Sequence, residues 1–223
     1  MLFLGALLVG CGQNDGNIGN NDQVLTVLWG QEAGKQSRIE QTLLPLHMTD
    51  EQIRDVLKRE DSNDMRNGIA QLPGRGPFVQ QLVSAVWKQE REQYEDLNWS
   101  VLSRAEVRLV AGQVLFQMGE RDNPAFRQLA LDSLDAANRE VRCQAAATLG
   151  VVGQSEDVPH LVSLVKNDDD YVALCALPAL MKIPGEDGLR ALESLLDEPA
   201  LSERRRQQIG KILNSPLRAT PRG

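Results

Sequence analysis

One helix is written more than once in this chain. Glu140–Gly153 reads EVRCQAAATLGVVG, and Glu106–Gly119, 34 residues earlier, reads EVRLVAGQVLFQMG. Stepping from Val141 by 4, 7, 8 and 11 meets Ala145, Thr148, Leu149 and Val152. The same steps from Val107 meet Ala111, Val114, Leu115 and Met118, and from Val172 they meet Ala176, Ala179, Leu180 and Ile183. On an α-helix these positions form a stripe roughly 100° wide, and Thr148 is its one polar member. Three helices are therefore predicted to bury one face in the same way. The copies lie 34 and then 31 residues apart, which leaves room for a second helix in each. A period of that size predicts an all-α stack of helical hairpins, each leaning on its neighbours.

The second helices are legible in the gaps. NPAFRQLALDSLD opens with Asn123 as N-cap and Pro124 at the first helical position. EDVPHLVSLVKND offers Leu161, Val162 and Val165 at helical spacing, and EDGLRALESLLDE offers Leu189, Leu192 and Leu196. Gly119, Gly153 and Pro184-Gly185 stand where the three inner helices should stop. Composition agrees: 42% of residues are apolar and 25% charged, but only 4% are aromatic, so little argues for alternating strands.

At NREVRCQAAATLGVVG with its Val141-Arg142 pair, at EVR 106–108 and at NDDDYVALCALPALMKI, the chain resembles HEAT-repeat proteins. It is similar there to the short bacterial HEAT-like units of the phycobilin-lyase type. The resemblance covers about residues 100–213 and implies a right-handed helical-hairpin solenoid, a HEAT-like α-α superhelix. The third copy departs from the pattern. Ala173 replaces the arginine of 108 and 142, and Pro178 falls inside the helix, where it removes one backbone hydrogen bond and is predicted to kink it.

The flanks are less regular. MTDEQIRDVLKRE carries a capping box, Thr49 with Gln52, and SNDMRNGIAQL and FVQQLVSAVWKQEREQ look helical on either side of the PGRGP loop at 73–77. Residues 23–99 are accordingly expected to form an irregular helical region with degenerate repeats; VLTVLWG at 24–30 fits a short strand or a helical turn. SERRRQQIGKIL, with Ile209, Ile212 and Leu213 as its apolar contacts, suits a polar capping helix, and 214–223 a disordered tail.

The amino end divides at Cys11. Residues 1–10 are apolar or small, too few to cross a bilayer as a helix but suited to the core of a secretion signal. Leu8-Val9-Gly10-Cys11 resembles the bacterial lipobox. That resemblance implies cleavage before Cys11, lipid attachment to it and anchoring through several acyl chains. Residues 11–22, rich in Gly, Asn and Asp, then form a flexible tether, and Gly12 in place of Asp favours the outer membrane with the protein facing the periplasm.

Catalytic chemistry finds little purchase. The two histidines, His47 and His160, belong to no His-Glu or His-x3-His spacing that holds a metal on a helix face. NDDD at 167–170 lacks the Gly and distal Glu of a calcium loop and fits a helix N-terminus instead. GRG at 74–76 is a turn rather than a phosphate cradle, and NWS at 98–100 is a chance sequon. No catalytic residue, cofactor site or metal site is expected. A net charge of −7 argues against nucleic acid as a partner. Ten acids against three bases crowd 155–198, and six bases against one acid fill 203–223; solvated helix faces and a loose tail account for both. Cys143 and Cys175 fall on different sides of their helices and are expected to be two buried thiols, because neighbouring helix axes lie about 8–10 Å apart.

The inner helices stay apolar or small beyond their core stripe, at Leu109, Gly112 and Phe116, at Cys143, Ala146 and Gly150, and at Leu174, Leu177 and Met181. Close packing on adjacent repeats explains this. So does a concave groove for a partner helix or peptide, contacted by Leu109, Phe116, Ala146, Leu174, Leu177 and Met181 with Arg108 and Arg142 at its rim. The resulting expectation is a non-catalytic, lipid-anchored HEAT-like scaffold that binds a protein of the bacterial cell envelope. The alternative is an enzyme or enzyme accessory of the HEAT-like chromophore-lyase type.

Overall fold

The computed structural model describes residues 44–214. Cys11, the segments on either side of it, VLTVLWG at 24–30 and residues 215–223 lie outside that range. Among the described residues there are eleven α-helices and no strand. They are α1 (Asp50–Val56), α2 (Ser62–Gln71), α3 (Phe78–Lys88), α4 (Trp99–Leu102), α5 (Ala105–Gln117), α6 (Pro124–Asp132), α7 (Arg139–Val152), α8 (Val158–Asn167), α9 (Asp170–Lys182), α10 (Asp187–Leu196) and α11 (Glu203–Leu213). The described chain divides into two compact units, with the boundary between Phe126 and Arg127.

In the first unit α2 and α3 both pack on α5. The expected capping box opens α1: Thr49 Oγ1 accepts from the Gln52 N–H and Gln52 Oε1 accepts from the Thr49 N–H. Asp61 caps α2 by accepting from the N–H groups of Asn63 and Asp64. Ile53, Leu57, Met65, Ile69, Leu72 and Leu82 are wholly buried. Each full burial of this kind contributes about 1.5–3 kcal/mol. The Asn98 N–H donates to the Leu57 carbonyl (3.1 Å) and its side-chain amide to the Arg59 carbonyl (2.9 Å), fixing α4 against the end of α1. α5 is buried nearly all round, from Val107 to Leu115. The chain turns away from it at Gly119, whose φ of 113° suits glycine alone.

The second unit is a solenoid of helical hairpins. α7 and α9 lie side by side, α8 folds back against α9, α10 leans on both α8 and α9, and α11 closes on α9 and α10. The contacts between α7 and α9 run in one order along both helices. Glu140 meets Tyr171, Cys143 meets Cys175, Gly150 meets Ala179 and Gly153 meets Ile183. The two inner helices are therefore parallel, as a repeat 31 residues long requires. Their stripes are buried as predicted, with Ala145, Leu149, Val172, Ala176 and Leu180 at 0% exposure. Gly150 sets the spacing, since a Cβ there would sit 2.8 Å from the Ala179 Cα. Asn138 caps α7 and Asp169 caps α9. α9 continues through Pro178, leaving the Leu174 carbonyl without its usual N–H partner. Ile209, Ile212 and Leu213 are the buried apolar contacts of α11, as expected.

Candidate functional site

The structure places the residues expected to line a groove in two settings. In the second unit, Ala146 and Leu177 are wholly buried and Leu174 and Met181 nearly so. These side chains serve the packing of α7 and α9. Arg142 is partly buried, and its donors are occupied. Nε and Nη2 donate to Asp168 Oδ2 and Oδ1 at 2.8 Å each, and Nη1 donates to the carbonyls of Ala136 (2.8 Å) and Ala137 (3.1 Å). A fork-to-fork pair of this kind joins the start of one inner helix to the turn before the next. It holds the Arg142 guanidinium, first by the Asp168 hydrogen bond, even further above the range in which it could lose its proton. Burial pushes the Asp168 carboxyl up; the hydrogen bonds from Arg142 and the Asp169 N–H and the charges of Arg142 and Arg205 outweigh it, so the net shift is downward.

Three further ties bind successive hairpins, and sequence reasoning found none of them. Arg127 Nε and Nη2 donate to Asp157 Oδ2 (2.7 Å) and Oδ1 (2.6 Å), and Asp157 is buried while accepting also from the Gln154 N–H. Arg205 donates to Asp170 (3.2 Å) and to the carbonyls of Val165 (2.6 Å) and Lys166 (3.0 Å), satisfying the open end of α8. Lys166 pairs with Glu198. These partners stand 30 or more residues apart and carry no local pattern. Only the repeat register could have exposed them.

The cysteines correct the sequence expectation of two free thiols. Cys143 and Cys175 form a disulfide, with Cα atoms 5.3 Å apart. In a stack of parallel helices each presents unlike flanks to its two neighbours, so residues on different sides of their own stripes are the ones that meet. The missing side chain at Gly150, where a Cβ would stand 2.8 Å from the Ala179 Cα, then lets the two backbones approach closely. Closing a loop of 32 residues stabilises the fold by about 3–4 kcal/mol in the chain-entropy account.

In the first unit Leu109 is buried, but Arg108 and Phe116 are partly exposed. Gly112, one turn beyond Arg108, lets Trp87 from the end of α3 lie against α5; a Cβ at Gly112 would stand 3.1 Å from both Trp87 Cζ3 and Phe126 Cδ1. Phe126 meets Trp87 edge to face with centroids 4.8 Å apart. The Arg108 guanidinium lies over the Trp87 ring, 5.4 Å from its centroid. In the sequence Trp87 is one residue of a helical flank, with nothing to mark its place in this cluster.

Elsewhere the described surface is polar. Leu46 is the one large apolar side chain that stands exposed among the described residues. His47 and His160 are exposed, and no group of three or more His, Cys, Asp or Glu is placed to hold a metal ion among the described residues. No described helix is long and apolar enough to cross a membrane.

The family model for HEAT repeats matches residues 100–176 and, in a second overlapping match, 128–210. Residues 100–210 are HEAT repeats, and the protein is a HEAT-repeat protein. Such repeats are typically scaffolds whose stacked surfaces bind other proteins. No curated protein and no solved structure matches the chain.

Proposed function

We propose that this protein is a lipid-anchored scaffold of the bacterial cell envelope, tethered at the outer membrane and facing the periplasm. It holds or positions another envelope protein and catalyses no reaction itself. The observation that carries the reading is the buried Cys143–Cys175 bridge joining successive repeats. Structural disulfides form and persist in oxidising compartments, which the periplasm is and the cytosol is not. The lipobox-like Leu8-Val9-Gly10-Cys11 and the polar tract behind it support the same compartment independently. A HEAT stack with occupied inter-repeat ties supports rigid presentation rather than chemistry.

The test is radiolabelled palmitate fed to bacteria expressing the full chain. Incorporation that disappears in Cys11→Ser, together with outer-membrane fractionation that the same change abolishes, is the expected result. Label retained in Cys11→Ser, or a soluble cytosolic protein with reduced Cys143 and Cys175, would overturn the anchored reading. Crosslinking in intact cells followed by mass spectrometry identifies what the scaffold holds.

A further inference from the structure

The two repeat arginines occupy one position of the HEAT unit and meet different fates. Arg142 follows Val141 and fills its fork with Asp168. Arg108 follows Val107, yet its side chain forms no hydrogen bond or ion pair among the described residues, and its Nε is buried without an acceptor. The sequence register says what is missing. Asp168 lies four residues before Val172, and four residues before Val141 stands Ala137. The carboxylate that one repeat supplies to the arginine before it is absent from the other.

Leaving a guanidinium donor buried without an acceptor costs more than a typical hydrogen bond returns. The surroundings nevertheless hold Arg108 in place. Its guanidinium stacks on Trp87, Trp87 is seated on Gly112 and braced by Phe126, and Phe116 follows one turn further along α5. Arg108, Trp87 and Phe116 are each partly exposed. Stacking fixes the plane of an arginine fork before anything binds, and Trp and Arg are the residues that dominate protein interfaces.

We infer that Arg108 on its Trp87 platform docks a carboxylate, an Asp or Glu side chain in an acidic segment of a protein partner. This rests on the scaffold reading and gives that partner its chemistry. The occupant is a carboxylate because the same arginine one repeat later takes one in a bidentate pair.

The experiment selects random displayed peptides on the immobilised full chain, then resynthesises the winners and measures affinity by titration calorimetry. Selected peptides are expected to share an Asp or Glu at a fixed position. Changing that residue to Asn or Gln should weaken binding at least tenfold to the wild type and leave binding to Arg108→Gln unchanged. Arg108→Lys, which keeps the charge but not the fork, should recover only part of the affinity. Circular dichroism checks that both variants keep their helices; if Arg108→Gln unfolds, the cycle is run with Arg108→Lys. Peptides without a shared acid, acidic peptides whose affinity ignores Arg108, or no enrichment over a blank support would each overturn the inference. Arg108-dependent binding to phosphatidylglycerol vesicles without any selected acidic peptide would overturn it too, by assigning the site to lipid. The anchored reading fails separately, through the palmitate and fractionation results, and the scaffold reading through in-cell crosslinking that captures no protein.

Discussion

The second unit ties each hairpin to the next with named crosslinks: Arg127 to Asp157, Arg142 to Asp168, Arg205 to Asp170 and the carbonyl end of α8, and a disulfide between α7 and α9. The first unit relies more on apolar and aromatic burial, with Phe126 against Trp87, Phe78 edge-on to Tyr94, and Arg54 over both of the latter rings, and its long-range ion pairs are those of half-exposed Asp96 with Arg54 and Lys58. Regular repetition explains the contrast. When successive hairpins are alike, the start of one inner helix lies beside the turn before the next, and an arginine there can reach a carboxylate of that turn, as Arg142 reaches Asp168. Where the copies degenerate, no fixed register exists for such a pair. Irregular large side chains must then fill the space, and an arginine such as Arg108 is left outside the scheme.

The contrast can be broken or sharpened by mutation. Phe126→Ala should cost about 3–5 kcal/mol, since the ring is 1% exposed. In calorimetric melts it should lower the transition of the first unit; an equal shift of both transitions would dissolve the distinction. Replacing Cys143 and Cys175 by Ser should cost about 3–4 kcal/mol, felt in the second unit. Under denaturing conditions without reductant the wild type should show no free thiol at either position. Arg127→Ala leaves Asp157 buried without its partner and should cost about 3 kcal/mol, whereas Arg127→Met with Asp157→Leu should recover most of it in chemical denaturation. The smallest effect is on pH dependence. The net-lowered Asp168 carboxyl contributes stability that is fully present above the ordinary aspartate value, about 3.9, and is lost as pH falls below that through the depressed value. Arg142→Gln should flatten this acid limb of Tm against pH and leave the neutral range parallel to wild type.

Much of the fold was legible because it rests on local and periodic signals. The stripes from Val107, Val141 and Val172, the Thr49–Gln52 box, Asn123 before Pro124 and the stops at Gly119 and Gly153 all act within a turn or two of helix. The disulfide and the Arg127–Asp157 pair were not legible, because each depends on the relative rotation of two helices rather than on either alone. The interaction surface was half legible. Apolar character around an inner helix signals burial and binding alike, and only the packed structure separates Ala146 and Leu177, which are covered, from Arg108 and Phe116, which are partly exposed. Trp87 escaped notice because its role is set by Gly112, 25 residues away and itself silent in any hydrophobic pattern.

Both sulfur-bearing residues of the Cys143–Cys175 bridge are 4% exposed. An oxidant therefore has to reach them while α7 and α9 are still apart, and a reductant meets the bond only when that pair parts again. Maturation of the chain thus has a built-in deadline, and once it has passed, the surrounding redox chemistry loses its hold on the finished molecule.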